Sequence, residues 1–159
     1  MNEVTALYRK YSADVYRFAF YLSANHAVAE DITSETFVRV WMSPVPLKMA
    51  TIKAYLFTIA RNLFLQDQRK ARRHVELDDS LQDTRADSHA VVAGRLELRA
   101  VLMRLQALPE ADRAALLMSA LEGIPYEDIA RSLGISLAAV KSKIHRARVA
   151  LVDKDPEVQ

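Results

Sequence analysis

The sequence predicts an all-α fold in which two small helical domains are joined by a flexible acidic linker. Only three of the 159 residues are Gly and five are Pro, while 51% are hydrophobic, so residues that break helices are scarce. Apolar residues recur at the three- and four-residue spacing of amphipathic helices on both sides of an acidic, aperiodic stretch. We expect domains at residues 1–73 and 90–153, a linker at residues 74–89 and a tail at residues 154–159.

The first domain contains three helical patterns. A pattern of apolar residues ending near Leu22 is interrupted over residues 25–30, and a second pattern follows. The two prolines of residues 43–46 cannot lie inside a helix, so they separate the second pattern from the third. The second helix is expected at residues 31–41, with Phe37, Val40 and Trp41 in the core, and the third is expected to begin near Thr51.

Composition narrows the range of functions. With no cysteine, the chain cannot form a disulfide framework, a thiolate zinc site or a cysteine nucleophile. The four histidines are scattered without the spacing of metal ligands, and neither a nucleophile motif nor a Gly-rich phosphate loop occurs. Eighteen consecutive apolar residues and a signal-peptide pattern are also missing. We therefore expect a cytoplasmic protein that is not an enzyme, does not insert into membranes and needs no metal or other cofactor.

The linker is predicted from its charge. It has little periodicity and few apolar residues, which is typical of a solvated or disordered tether. Its carboxylates greatly outnumber the single Arg85, and they are Glu76, Asp78, Asp79, Asp83 and Asp87.

Residues 124–151 have the spacing of a helix-turn-helix. Gly134 supplies the turn after a helix that carries Ile129 and Leu133. A second helix follows, with an apolar stripe formed by Val140, Ile144, Ala147 and Leu151. Its other face is basic and carries no acidic residue. A helix of this kind beside a tight turn is typical of a recognition helix that enters the DNA major groove.

The recognition helix provides the first set of candidate DNA-binding residues. Ser136 occupies the N-cap position, where the helix amides can also hold a phosphate. A period of 3.6 residues places the central polar residues opposite the apolar stripe, while lysines on both sides can reach the phosphate backbones. The alternative is a solvated basic helix without a ligand. The candidates are Ser136, Ala138, Lys141, Ser142, Lys143, His145 and Arg146.

Several motifs occur in an order that resembles one protein family. The chain is similar to the extracytoplasmic-function sigma factors of bacterial RNA polymerase over nearly its whole length. Each motif alone is moderately specific, but their order and spacing together are strongly so. The motifs are AEDI with ETF and VW at residues 29–41, YLFTIARN at 55–62 with a basic end, LPE with Arg113 at 108–113, and EGIPYEDIA at 122–130.

The resemblance implies that the second helix docks on core RNA polymerase. Asp31, Glu35 and Arg39 are spaced by four and so share an exposed helical face, which by itself predicts only a solvated surface with a Glu35–Arg39 pair. In the family this face binds the coiled coil of the largest polymerase subunit. Ser34 stands where the family usually has Gln. The same resemblance implies that the second domain contacts the polymerase flap.

The resemblance implies that the third helix opens the promoter. In the family it reads the −10 element and captures an unstacked base, helped by the preceding loop, here residues 42–50. Asn62 can offer both a donor and an acceptor to such a base, although a plain surface amide is the simpler interpretation. The basic end of the helix can follow phosphates. The implied residues are Arg61, Asn62, Arg69, Lys70, Arg72 and Arg73.

The resemblance also implies −35 recognition by the helix-turn-helix, a linker in the RNA exit channel, and an anti-sigma factor as a further partner. Here Ala139 replaces the family's usual Thr. Two alternatives stay open: a stand-alone regulator of the LuxR type, which binds duplex DNA without polymerase, and a sigma mimic that titrates an anti-sigma factor. The mimic would lack the basic residues that this chain retains on its DNA-facing helices.

Overall fold

The computed structural model describes residues 3–43, 51–77 and 96–153, with the side chains of residues 74–77 and 153 excepted. These ranges contain helices and no strand, which confirms the predicted all-α class. Residues 78–89 of the predicted linker, most of the 42–50 loop and the predicted tail lie outside the described residues. The helices are α1 (Glu3–Ser23), α2 (His26–Met42), α3 (Ile52–Leu77), α4 (Leu96–Gln106), α5 (Glu110–Leu116), α6 (Tyr126–Leu133) and α7 (Leu137–Asp153).

Helices α1 to α3 form the N-terminal module. All three pack against one another, and Phe18 of α1 meets Phe57 of α3 with ring centroids 4.9 Å apart. Both phenylalanines are fully buried, as is Leu22. Burial of side chains of this size stabilises the module by about 1.5–3 kcal/mol each. The α3 helix continues to Leu77 and so includes the first residues of the predicted linker.

The prediction for the start of α2 was wrong by about one turn. The helix begins at His26 rather than at residue 31. The Asn25 side-chain oxygen accepts a hydrogen bond of 3.0 Å from the Val28 amide, and Ala24 takes a left-handed φ of 57°. The polar residues that interrupt the apolar pattern therefore include the N-cap of the helix rather than forming a loop.

The prediction that Trp41 lies in the core was also wrong. Phe37 and Val40 are buried, but Trp41 is 60% exposed. It lines an open groove together with Val4 and Tyr8 from the beginning of α1.

Helices α4 to α7 form the C-terminal module, and its helix-turn-helix agrees with the sequence prediction. Val140, Ile144 and Ala147 of α7 are buried, and α7 packs on α5 and α6. Gly134 ends α6 with a φ of 69°, a conformation that glycine adopts without steric cost. The predicted stripe therefore faces the core of the module.

After Leu116 the backbone widens into one π-helical turn, Leu117–Leu121. The Glu122 amide donates to the Leu117 carbonyl at 3.2 Å, and Gly123 then ends the turn. Such wide turns occur often at functional positions in helices. This one precedes Glu122, whose buried side chain reaches the other module.

The two modules pack against each other. Helices α1 and α3 contact the C-terminal module through α4, α5, α6 and the π-helical turn. We call this the closed arrangement.

Candidate nucleic-acid and polymerase interfaces

The outer surface of α7 carries most of the predicted recognition residues. Ala138, Lys141, Ser142 and His145 are exposed. The Ser136 hydroxyl accepts a hydrogen bond of 3.1 Å from the Ala139 amide, which confirms the predicted N-cap. This surface is flanked by lysine and presents polar side chains at its centre, as direct contact with base edges and phosphates requires.

Two of the predicted recognition residues are also held within the C-terminal module. Arg146 Nη2 lies 3.2 Å from Asp112 Oδ1, and Lys143 Nζ lies 3.6 Å from the same oxygen. The Asp112 carboxylate is buried in the first turn of α5, where the helix dipole favours a negative charge. The two ion pairs connect α7 to α5. The Arg146 side chain remains 61% exposed, so it can still reach a phosphate.

The predicted polymerase-docking residues lie together in a groove between α2 and α3. Asp31, Ser34, Glu35 and Arg39 line it from α2, and all four are exposed. Arg39 lies 3.5 Å from Glu35, as expected for an i,i+4 pair, and 3.4 Å from Gln66 of α3. Lys70, one of the predicted promoter residues, lines the same groove.

The predicted promoter-opening residues of α3 differ in accessibility. Asn62, Arg69, Lys70, Arg72 and Arg73 are exposed. Arg61 is instead paired with Glu110 at the start of α5, with its Nη2 2.6 Å from Oε1 and its Nε 2.8 Å from Oε2. Only 14% of the Arg61 side chain is exposed. The structure therefore does not bring Arg61 to the same surface as the other members of the set.

A second ion pair connects the modules near the π-helical turn. Arg17 of α1 approaches both carboxylate oxygens of Glu122 through Nη2, at 2.6 and 2.8 Å. The Glu122 side chain is fully buried. The hydrogen bond to Glu122 raises the pKa of Arg17, and the neighbouring carboxylates add to the effect. A buried carboxylate of this kind depends on its partner, because burial of an unpaired charge is costly.

Arg113 makes a third connection. Its Nη1 donates to the Leu22 carbonyl at 2.5 Å, and Gln106 donates to the same oxygen at 2.9 Å. Leu22 lies in the last turn of α1, where carbonyls lack helical partners and cations are favoured. Desolvation by burial lowers the pKa of Arg113, and the charge of Glu110 opposes that shift. The guanidinium also lies 5.9 Å from the Phe64 ring centroid.

The sequence analysis missed the residues that connect the modules. Glu110, Arg113 and Glu122 belong to quoted motifs, but the motifs assign them no partner. Arg61 and Glu110 are 49 positions apart, and Arg17 and Glu122 are 105 apart. Helical periodicity relates only residues within a few turns, so it contains no signal for these pairs.

The described residues contain no group of three or more His, Cys, Asp or Glu side chains that could hold a metal ion. Among the same residues, no helix has the length and hydropathy needed to cross a membrane.

Comparison with known proteins gives matches over both modules. Residues 7–74 match the family model described as sigma-70 region 2, and residues 98–151 match that described as sigma-70, region 4. The chain is similar to the ECF RNA polymerase sigma factor EcfG of Rhodopseudomonas palustris, with 36% identity covering 84% of this chain and 75% of the relative. It is 35% identical to the ECF sigma factor SigE of Mycolicibacterium smegmatis, covering 92% of this chain but only 59% of SigE.

A solved structure supports the same comparison. The sigma factor RpoE of Bartonella quintana, crystallised with the anti-sigma factor NepR, matches with a TM-score of 0.79 and 27% identity. The match covers 96% of both chains. The similarity therefore includes both helical modules.

Proposed function

Because the chain belongs to the extracytoplasmic-function family of RNA polymerase sigma factors, we propose that it directs core polymerase to promoters through three separate surfaces. The observation that carries this proposal is the placement of its exposed residues. The outer face of α7 carries most of one predicted set, and the surface of α3 carries the second set except for the largely covered Arg61. The groove between α2 and α3 carries the third set, together with Lys70. The stand-alone regulator gains nothing from this arrangement, because such a protein needs only the helix-turn-helix.

The α7 surface reads the −35 element. Lys141 and Lys143 contact the phosphate backbones and fix the position of the helix, while Ser142 and His145 contact base edges. The amides at the Ser136 end of α7 are placed to receive a phosphate. The small Ala138 allows close approach to the floor of the groove. The proposal is supported by the exposure of Ser136, Ala138, Lys141, Ser142 and His145. The ion pairs of Lys143 and Arg146 with Asp112 attach α7 to α5 and so support it as well.

The surface of α3 binds the opened −10 element. The basic residues at its C-terminal end follow the phosphates, and Asn62 hydrogen-bonds an unstacked base. Capture of single-stranded DNA makes promoter opening less unfavourable, because the unpaired bases gain contacts that the duplex lacks. Support comes from the exposure of Asn62, Arg69, Lys70, Arg72 and Arg73 along one helix.

The groove between α2 and α3 docks on the coiled coil of the largest polymerase subunit, and the C-terminal module contacts the flap. The groove offers carboxylates at Asp31 and Glu35 beside the cation of Arg39, so it favours a partner with alternating charges. Ser34 makes a shorter polar contact than the usual Gln of the family. Its docking residues lie on α2, whereas the main contacts between the modules are made by α1 and α3.

An anti-sigma factor is the remaining partner. The solved relative RpoE is bound by NepR, and its structure covers both modules. We propose that a protein of this class holds the present chain when its promoters are silent. The match at a TM-score of 0.79 supports a similar arrangement of the modules.

The proposal is tested by transcription with purified core polymerase on a library of genomic fragments, with and without this protein. New start sites that need the protein are expected. The double variant Asp31→Lys with Glu35→Lys should lose polymerase binding and all of these transcripts. A control with the same charge change, Glu3→Lys with Glu97→Lys at exposed positions outside the groove, should retain both. Normal transcription by the first variant would refute the docking assignment.

A further inference from the structure

We propose that Glu110 is an internal competitor of promoter DNA for Arg61, so that the closed arrangement withholds this cation until the modules separate. The inference rests on the proposed function, because it assigns Arg61 to the −10 surface. Among the described residues, the two side chains form an ion pair that connects α3 to α5.

The geometry of the pair is that of phosphate recognition. A guanidinium presents two parallel N–H groups, and carboxylate and phosphate oxygens accept them in the same bidentate manner. Arg61 uses this fork on Glu110, with distances of 2.6 and 2.8 Å. Glu110 is the first residue of α5, where the helix dipole stabilises its charge. The carboxylate therefore occupies the position on Arg61 that a DNA phosphate would take.

The surroundings of Arg61 show that the competition involves a whole face of α3. Thr58, Arg61 and Phe64 are spaced by three and share that face. The Thr58 hydroxyl lies 2.7 Å from the Ser132 hydroxyl, and the Phe64 ring contacts Arg113. All three partners belong to the C-terminal module. While this face is covered, the Arg61 side chain cannot extend toward DNA.

The other cations of α3 behave differently in the same arrangement. Arg69, Lys70, Arg72 and Arg73 are exposed, and so is Asn62, the residue next to Arg61. The closed form can thus still attract DNA through its basic end. Only separation of the modules adds Arg61 to the contact. Binding of DNA and opening of the modules are therefore coupled, and the coupling must be reciprocal.

The contacts between the modules suit a reversible interface. Besides Arg61–Glu110, they include the Arg17–Glu122 pair and the hydrogen bonds of Gln106 and Arg113 to Leu22. Interfaces between domains of one chain resemble those of transient complexes, and these polar groups can be rehydrated when the modules separate. Each carboxylate regains water on opening, and each cation becomes available to phosphate.

The experiment measures the distance between the modules in the full chain. The absence of cysteine allows unique labelling at Ala27→Cys in α2 and Val149→Cys in α7, both exposed positions. Energy transfer between the dyes is compared for the otherwise unchanged protein, Glu110→Gln and the matched control Glu97→Gln. Affinity is then measured for the non-template single strand of a promoter found by the transcription test.

Glu110→Gln should shift the population toward the open form by about five-fold or more and raise affinity for the single strand by a similar factor. The exchanged pair Arg61→Glu with Glu110→Arg should restore closure, because it recreates the ion pair, yet bind the strand weakly. Glu97→Gln should change neither quantity. Unchanged energy transfer in Glu110→Gln would overturn the proposal, and so would opening without a gain in affinity. Failure of the unaltered protein to support transcription would instead refute the proposed function, since the energy-transfer measurement needs no DNA.

Discussion

The two carboxylates in the first turn of α5 pair with α3 and α7 in different ways. Asp112 pairs with Lys143 and Arg146 of α7, inside its own module. Glu110 pairs with Arg61 of α3, across the boundary between the modules. Both carboxylates gain from the same helix dipole. The difference lies in what each pair can do when the modules move.

The Asp112 pairs are part of the fold of the C-terminal module. Asp112 is almost completely buried, and separation of the modules leaves its partners in place. The Glu110 pair exists only in the closed arrangement. The same chemistry therefore attaches α7 to its own module in both arrangements but holds α3 only in the closed one. This distinction implies that substitutions at the two sites alter different properties of the protein.

The largest effect on the closed arrangement is expected from Arg17→Ala. This change leaves the fully buried carboxylate of Glu122 without its charged partner, and an unpaired buried charge costs about 3–5 kcal/mol. Because Arg17 is itself 43% exposed, solvent screening reduces this cost to about 1–3 kcal/mol. The cost favours the open form, in which Glu122 regains water. Small-angle scattering should show a larger radius of gyration with unchanged helix content. Arg9→Ala, at an exposed position of the same helix, should leave the radius unchanged.

Asp112→Asn should act on stability instead. The substitution removes the charge that binds Lys143 and Arg146 but keeps the size of the side chain, so the C-terminal module should lose about 1–2 kcal/mol. Calorimetry of the full chain should show a lower unfolding temperature, while scattering should show the same closed dimensions. Glu127→Gln, an exposed acid in α6, provides the control. If Asp112→Asn opened the modules without loss of stability, the proposed difference between Asp112 and Glu110 would be contradicted.

Ser132→Ala tests how much an uncharged contact between the modules contributes to the closed arrangement. The Thr58 hydroxyl lies 2.7 Å from both the Ala54 carbonyl and the Ser132 hydroxyl. Thr58 has a single proton and retains its bond to Ala54, so Ser132 is the donor between the modules. Its loss should disfavour the closed form by about 1 kcal/mol or less. If Ser132→Ala shifted energy transfer as much as Glu110→Gln, the Arg61–Glu110 pair would hold the modules together no more strongly than a neutral hydrogen bond.

The smallest effect is expected from salt. Raising NaCl weakens both sets of ion pairs, since Arg146 is 61% exposed and Glu110 is 22% exposed, but only the Arg61–Glu110 pair is lost when the modules separate. The modules should open by a few-fold at most, while the unfolding temperature of the C-terminal module changes little. Energy transfer and calorimetry on the same samples provide the two readings. A parallel change in both would contradict the distinction between the two carboxylates.

Sequence reasoning succeeded where the determinants are local. The apolar stripe of α7, the Ser136 cap and the Gly134 turn follow from helix periodicity and backbone conformation within one element. The start of α2 was misjudged because a polar cap resembles a loop. Trp41 was placed in the core because a large apolar residue on a helix usually packs there, and the helical pattern does not show whether another helix covers that position.

The connection between the modules could not be predicted. Glu110 and Asp112 look equivalent in the sequence, as two acids in the first turn of a helix. Which of them meets Arg61 depends on the packing of helices that are far apart in the chain. The partners of Arg17, Arg113 and Glu122 could not be predicted for the same reason. Local rules account for the surfaces proposed to bind DNA, and tertiary packing decides which of their residues are available.

Hydrogen exchange on the full chain tests the central distinction most directly. Amides of α3 and α7 are followed in the unaltered protein, in Glu110→Gln and in Asp112→Asn. We expect faster exchange in α7 for Asp112→Asn alone, and faster exchange on the module-facing part of α3 for Glu110→Gln alone. If either variant accelerated both helices equally, the two carboxylates would belong to one structural unit, and the conditional role of Glu110 would be contradicted.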